Sequence, residues 1–221
     1  MTGPHRIDTA IAGGAPFAEA KAALILVHGR GATAESMLPL ADAFGRDDVA
    51  YVAAQASANT WYPYTFMAPM EINEPWLSSA LSVLGELVAR LGAQGFPPER
   101  IGLLGFSQGA CLATEFCARH PRRYGCVVGL SGGLIGPPGT PRNYTGSLDG
   151  TPVFLGCSDI DPHIPLERVQ ESAAVLSGLG GKVDERIYPG FGHSVNDDEI
   201  AAARELLRGM AEDRREPGGS A

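Results

Sequence analysis

Residues Gly105-Phe106-Ser107-Gln108-Gly109 lie directly between an apolar run, Ile101-Gly102-Leu103-Leu104, and a stretch of helical character that opens at Gln108. A chain that passes from strand to helix around a single serine has few ways to fold. The turn must be very tight, flanking glycines relieve its crowding, and the hydroxyl is held clear of the backbone at the carboxyl edge of a sheet. Ser107 is therefore expected to be a nucleophile, placed where a carbonyl can reach it.

The remainder of the chain repeats the same alternation of short apolar runs and helical segments. Strands are expected at Ala23 to Val27, Val49 to Ala53, Ile101 to Leu104, Cys126 to Leu130, Val153 to Gly156 and Glu185 to Tyr188. Helices are expected near Ala34 to Phe44, Pro75 to Leu91, Gln108 to Arg119, Leu166 to Leu179 and Asp197 to Met210. This order predicts an α/β fold, a mostly parallel central sheet with helices on both faces. Leu24-Ile25-Leu26-Val27 is a continuous apolar run, as a strand buried on both faces should be. The 221 residues fit one domain, expected over residues 1–211, followed by a polar, frayed tail at 212–221. The longest turn-rich stretch, Ser131 to Gly150, is too short to form a cap domain. A loop of about 20 residues is usually functional or mobile.

The net charge of −8 argues against nucleic acid or an anionic membrane surface as the main partner. No apolar run approaches the roughly 20 residues that span a bilayer. Met1 to Asp8 lacks the pattern of a secretory signal, so a cytoplasmic location is expected. The four cysteines, Cys111, Cys117, Cys126 and Cys157, have no metal-ligand spacing, and buried reduced thiols are expected.

A serine hydroxyl needs a neighbouring base, usually a histidine oriented by a carboxylate. On sheets of this kind the partners follow in the order serine, acid, histidine. His120 lies at the far end of the helix that Ser107 opens, about 18 Å away at about 1.5 Å per residue, and is excluded. His193, in the glycine-flanked loop Pro189-Gly190-Phe191-Gly192-His193-Ser194, follows the last strand and is expected at the same sheet edge. The acid should follow the strand ending at Gly156, where Asp159 and Asp161 both stand. Spacing alone does not separate them. Asp197 and Asp198 are expected to cap the last helix.

With these residues in place the chain resembles the phospholipase/carboxylesterase family, an α/β-hydrolase branch that includes bacterial carboxylesterases and acyl-protein thioesterases. The likeness rests on Gly105 to Gly109, Asp161-Pro162-His163-Ile164-Pro165, Gly190-Phe191-Gly192-His193 and Val27-His28-Gly29-Arg30-Gly31, in the expected order. The resemblance implies an α/β-hydrolase fold and assigns the acid to Asp161. It also implies that the N–H of Arg30 joins the N–H of Gln108 in an oxyanion hole, where one donor can be worth about 2.7–4 kcal/mol. His28 is expected to be a structural polar residue below that loop.

The expected activity is that of a serine carboxylesterase working through an acyl-serine, with no metal or organic cofactor. A small-molecule ester is the expected partner, and a monomer or homodimer the expected state. Thioesterase, lysophospholipase or lactone hydrolysis are alternatives, although lactone hydrolases of the dienelactone type use a cysteine. A non-catalytic receptor on the same fold is the remaining rival. Trp61, Tyr62, Tyr64 and Phe66, concentrated in one loop, are expected to wall the substrate pocket for small to medium acyl groups, aromatic ones among them. Arg30 departs from the apolar residue common in the thioesterase members. Its side chain is expected to be solvated, the alternative being contact with a carboxylate or phosphate of the substrate.

Overall fold

The computed structural model describes residues 3–212. The expected tail therefore lies outside the described residues except for Glu212. Seven strands form one sheet: β1 (Ile11–Gly14), β2 (Ala22–Val27), β3 (Val49–Ala54), β4 (Ile101–Phe106), β5 (Val127–Leu130), β6 (Pro152–Ser158) and β7 (Lys182–Tyr188). Their spatial order is β1-β3-β2-β4-β5-β6-β7. All neighbours run parallel except β1, which pairs antiparallel with β3.

The six expected strands are present, each shifted by at most a few residues. The edge strand β1 was not anticipated. Its Ile-Ala-Gly-Gly sequence has weak β propensity, and it exists through its ladder with β3.

Among the described residues five α-helices cover the sheet: α1 (Leu38–Ala43), α2 (Trp76–Ala93), α3 (Gln108–Arg119), α4 (Leu166–Gly178) and α5 (Asp197–Ala211). The first is shorter than expected, because Glu35–Met37 is a tight 3-10 turn and Pro39 fits only in the first turn of an α-helix. Alternate residues of β2 separate the two faces. Ala23, Ile25 and Val27 face α2 and α3, whereas Leu24 and Leu26 share the opposite core with Phe44 beyond α1 and with Leu207 and Met210 of α5. Both faces of β2 are thus sealed, which explains its unbroken apolar run.

The chain places β3 on one side of β2 and then returns to place β4 on the other. Loops leaving the carboxyl ends of β2 and β4 diverge there, and such a reversal opens a crevice suited to a ligand. No helix among the described residues is long and apolar enough to cross a membrane.

The segment 131–150 is built into the body. Leu134, Ile135 and Leu148 join the core. Buried Glu115 accepts from Ile135 N at 3.0 Å and from the Tyr144 hydroxyl at 3.0 Å. Buried Arg168 donates to the carbonyls of Leu134 and Gly136 at 2.6 and 2.7 Å. None of its residues lines the cavity that opens over Ser107.

Candidate active site

Ser107 separates β4 from α3 with φ 56° and ψ −121°. An L-residue held there costs about 1–3 kcal/mol. The surroundings impose it: Ser107 N donates to Leu130 O at 2.9 Å, and Ser107 O accepts from Cys111 N at 3.0 Å. The flanking glycines relieve crowding, as expected, and do so without a left-handed backbone. Neither Gly105 nor Gly109 has positive φ. A Cβ at Gly105 would instead strike the Gly109 carbonyl, and one at Gly109 would strike the Val27 carbonyl. Glycine here permits contact between α3 and the ends of β4 and β2.

The loop after β7 returns His193 to this point. His193 Nε2 lies 2.9 Å from Ser107 Oγ, and Nδ1 lies 2.6 Å from Asp161 Oδ2. This arrangement suits the tautomer in which Nδ1–H donates to the carboxylate and Nε2 accepts from the hydroxyl. Gly190 and Gly192 take positive φ, 69° and 81°, so that the loop can turn tightly. Their N–H groups donate to Asp159 Oδ1 and Ser158 Oγ at 2.8 and 3.0 Å.

The two aspartates thus have separate places, Asp159 bracing the histidine loop and Asp161 meeting the imidazole. The Asp161 side chain is fully buried. Burial opposes its charge. Hydrogen bonds from His193 and from the N–H groups of His163 and Ile164 outweigh that and hold the carboxyl below its ordinary range. Cys157 adds a thiol 3.7 Å from Oδ2. The His193 ring is flanked by Phe106 and His163, at centroid distances of 5.1 and 4.8 Å. Neither flank was anticipated, although both residues stand inside the quoted motifs.

The cap of α5 also differs from expectation. Asn196 is the N-cap residue and forms a capping box with Glu199, while Asp197 and Asp198 lie in the first turn. The signature was present as Asn followed three residues later by Glu. Asp198 instead accepts from Arg186 and the Tyr188 hydroxyl at 2.8 and 2.7 Å.

Glu199 is 1% exposed, and burial raises its carboxyl to about 7. One oxygen accepts from Asn196 N at 2.9 Å, while Oε1 has no partner and rests against Gly156. A raised carboxyl binds its proton more tightly in the folded state, so its contribution to stability is lost as pH rises from about 4.5 to about 7. Glu199→Gln is expected to remove this loss. Its stability gain over the parent should grow by on the order of 2–3 kcal/mol between pH 5 and pH 8 in urea titrations. A gain independent of pH would contradict the assignment.

A cavity of about 670 Å³ opens over Ser107 and His193 and is lined by Tyr62, Tyr64, Phe66, Phe106 and Ile164, among others. Trp61 does not line it and is corrected to a core residue. It is fully buried, and its indole N–H donates to His28 O at 2.8 Å. His5, which drew no attention in the sequence, packs against the Trp61 ring and meets Trp61 O at 2.9 Å. His28 lies below the loop as expected, with Nε2 accepting from Ala56 N at 3.1 Å.

Gly29 brings the backbone beside the nucleophile, since a Cβ there would lie 3.3 Å from Ser107 Cβ. Next to it stands Arg30, whose N–H belongs to this turn. Gln108 opens α3, so its N–H has no carbonyl one turn back to meet. The Arg30 guanidinium is neither free nor turned toward an anion. It donates to Thr60 Oγ1 and Pro63 O, each at 2.9 Å, and to Tyr64 O at 2.6 Å.

All four cysteines are free and buried. Among the described residues no group of three or more His, Cys, Asp or Glu side chains is placed to hold a metal ion.

The strand order, the helices on both faces and the turn at Ser107 define an α/β-hydrolase fold. The sequence profile of the phospholipase/carboxylesterase family matches residues 13–210. The chain belongs to that family. A phospholipase/carboxylesterase structure from Dyadobacter fermentans superposes with a TM-score of 0.88 at 42% identity, covering 94% of this chain and 98% of that one. Acyl-protein thioesterase 1 of Eremothecium gossypii is 28% identical over 82% of this chain and 86% of its own length. The same-named protein of Gibberella zeae is 36% identical over 52% of this chain, a match that spans 49% of that relative. The family is one of carboxylesterases and thioesterases, and the chain is a hydrolase.

Proposed function

We propose that the chain is a serine carboxylesterase in which Ser107 attacks an acyl carbonyl while His193 takes its proton. The observation that carries this is the pair of contacts at one imidazole, 2.9 Å to Ser107 Oγ and 2.6 Å to Asp161 Oδ2. Asp161 holds the ring in its working tautomer and stabilises the imidazolium that forms. The N–H groups of Arg30 and Gln108 receive the oxyanion, and collapse expels the alcohol with the proton from His193. Water activated by His193 then attacks the acyl-serine, which releases the acid and restores Ser107.

The cavity supports small to medium neutral acyl groups lying against Tyr62, Tyr64 and Phe66. Its mouth is open, with Tyr64 54% exposed. Thioester hydrolysis is the second reading, favoured by the named thioesterase relatives. Cysteine-based lactone chemistry fits less well. Cys111, which borders the cavity, is buried, and its thiol is pushed up to about 12 by that burial.

A fluorophosphonate probe is expected to form a single adduct, located on Ser107 by peptide mass analysis. Absence of labelling would favour the receptor reading, and an adduct on another residue would remove Ser107 from its role. Oxygen and sulfur esters of matched acyl groups, assayed in parallel, separate the first two readings.

A further inference from the structure

Arg30 and Gln108, the two residues proposed to supply oxyanion N–H groups, also extend their side chains to one loop. Gln108 Oε1 accepts from Trp61 N at 2.9 Å, and Nε2 donates to Tyr62 O at 2.8 Å. Arg30 reaches the same loop from the other lip of the cleft, through Thr60, Pro63 and Tyr64. Gly31 N adds a bond to Asn59 O at 2.7 Å. Residues 60–64 belong to neither a helix nor a strand, so no ladder sets their position. They nonetheless carry Tyr62 and Tyr64, two of the aromatic walls of the cavity.

We infer that the Arg30 side chain is a positioning and specificity-determining residue that fixes the distance of this aromatic wall from Ser107. The inference rests on the esterase reading above. The planar guanidinium offers five donors in a rigid fork, which lets one side chain bind three acceptors on different residues. Its bonds are charge-assisted and therefore stronger than those between neutral groups. The same guanidinium carbon stands 5.9 Å from the centre of the Tyr62 ring, adding a contact with the wall itself. With three acceptors engaged, the guanidinium is held against the loop by the protein itself.

The remaining supports of the loop do not duplicate this function. Buried Asn73 accepts from Tyr64 N at 2.9 Å and donates to Thr65 O at 3.1 Å, and Gln108 holds the inner side at Trp61 and Tyr62. Among the described residues, Arg30 alone ties the outer carbonyls of Pro63 and Tyr64 to the Gly29-Arg30 turn. Because it is exposed, its removal returns those carbonyls to water and leaves the core intact. Tyr64, 54% exposed, can then move outward, while Tyr62, 1% exposed, stays in the core and the fold persists.

The test compares kcat and KM for p-nitrophenyl acetate, butyrate and benzoate in the parent, Arg30→Met, Arg30→Lys and Thr60→Val. Arg30→Met is expected to raise the benzoate-to-acetate ratio of kcat/KM by about fivefold or more. For acetate, kcat should fall with KM nearly unchanged, because the displaced turn also carries the N–H of residue 30. For benzoate, KM should fall. Arg30→Lys should restore part of the parent profile, and Thr60→Val should shift it in the same direction by a smaller factor. Profiles that superimpose on the parent in Thr60→Val and in either arginine variant that folds would overturn the inference. A parent that hydrolyses none of the esters and resists the fluorophosphonate would instead remove the esterase reading on which it rests.

Discussion

Ser107→Ala is expected to lower kcat for p-nitrophenyl acetate by about 10⁵- to 10⁶-fold while KM stays within about threefold. The oxygen that forms the covalent bond is gone, and what remains is binding, the oxyanion donors and a histidine with no hydroxyl to activate. The hydroxyl has no structural duty that would confuse the result. It bonds His193 at the cavity floor, and the strained turn is held by the backbone bonds of residue 107 to Leu130 and Cys111. Melting temperature should therefore stay close to the parent value. Retention of more than a hundredth of parent activity in a preparation free of contaminating esterase would contradict the proposed mechanism.

Asp161→Asn is the second large effect, an expected fall in kcat of about 10⁴-fold with little change in KM. The carboxylate accepts at both oxygens. Oδ1 receives the N–H groups of His163 and Ile164 at 2.8 and 3.0 Å, and Oδ2 meets His193 Nδ1 at 2.6 Å. In the variant the amide oxygen should remain with the two backbone donors, which turns the NH₂ group toward Nδ1. That favours the tautomer with its proton on Nε2, which cannot accept the Ser107 proton. Fluorophosphonate labelling should slow in parallel. Turnover within tenfold of the parent would move the orienting role to another carboxylate, Asp159 being the nearest in sequence.

Much of this was legible before any coordinates. Strand positions followed from apolar runs such as Leu24-Ile25-Leu26-Val27, because burial on both faces demands apolar side chains at every position. Gln108 to Arg119 was anticipated as the helix it is, since a tight turn after β4 leaves the chain no other direction. β1 was missed because a strand containing two glycines is made by its partner and not by its own preference. The cap at Asn196 was assigned to its neighbours, although the capping box was there to be read.

The sequence alone determined which groups could be reactive and where the chain must turn, because the passage from strand to helix at Ser107 and the positive-φ glycines around His193 constrain the backbone over a few residues. Between Asp159 and Asp161 it offered only a family likeness, because both lie on one short loop and differ in direction, not in position. Tertiary structure decided the rest. It sent Trp61 into the core through its bond to His28 O and gave the Arg30 guanidinium three acceptors on a loop some thirty residues away. Such outcomes depend on which segments meet across the crevice, and no local pattern in the chain encodes that meeting.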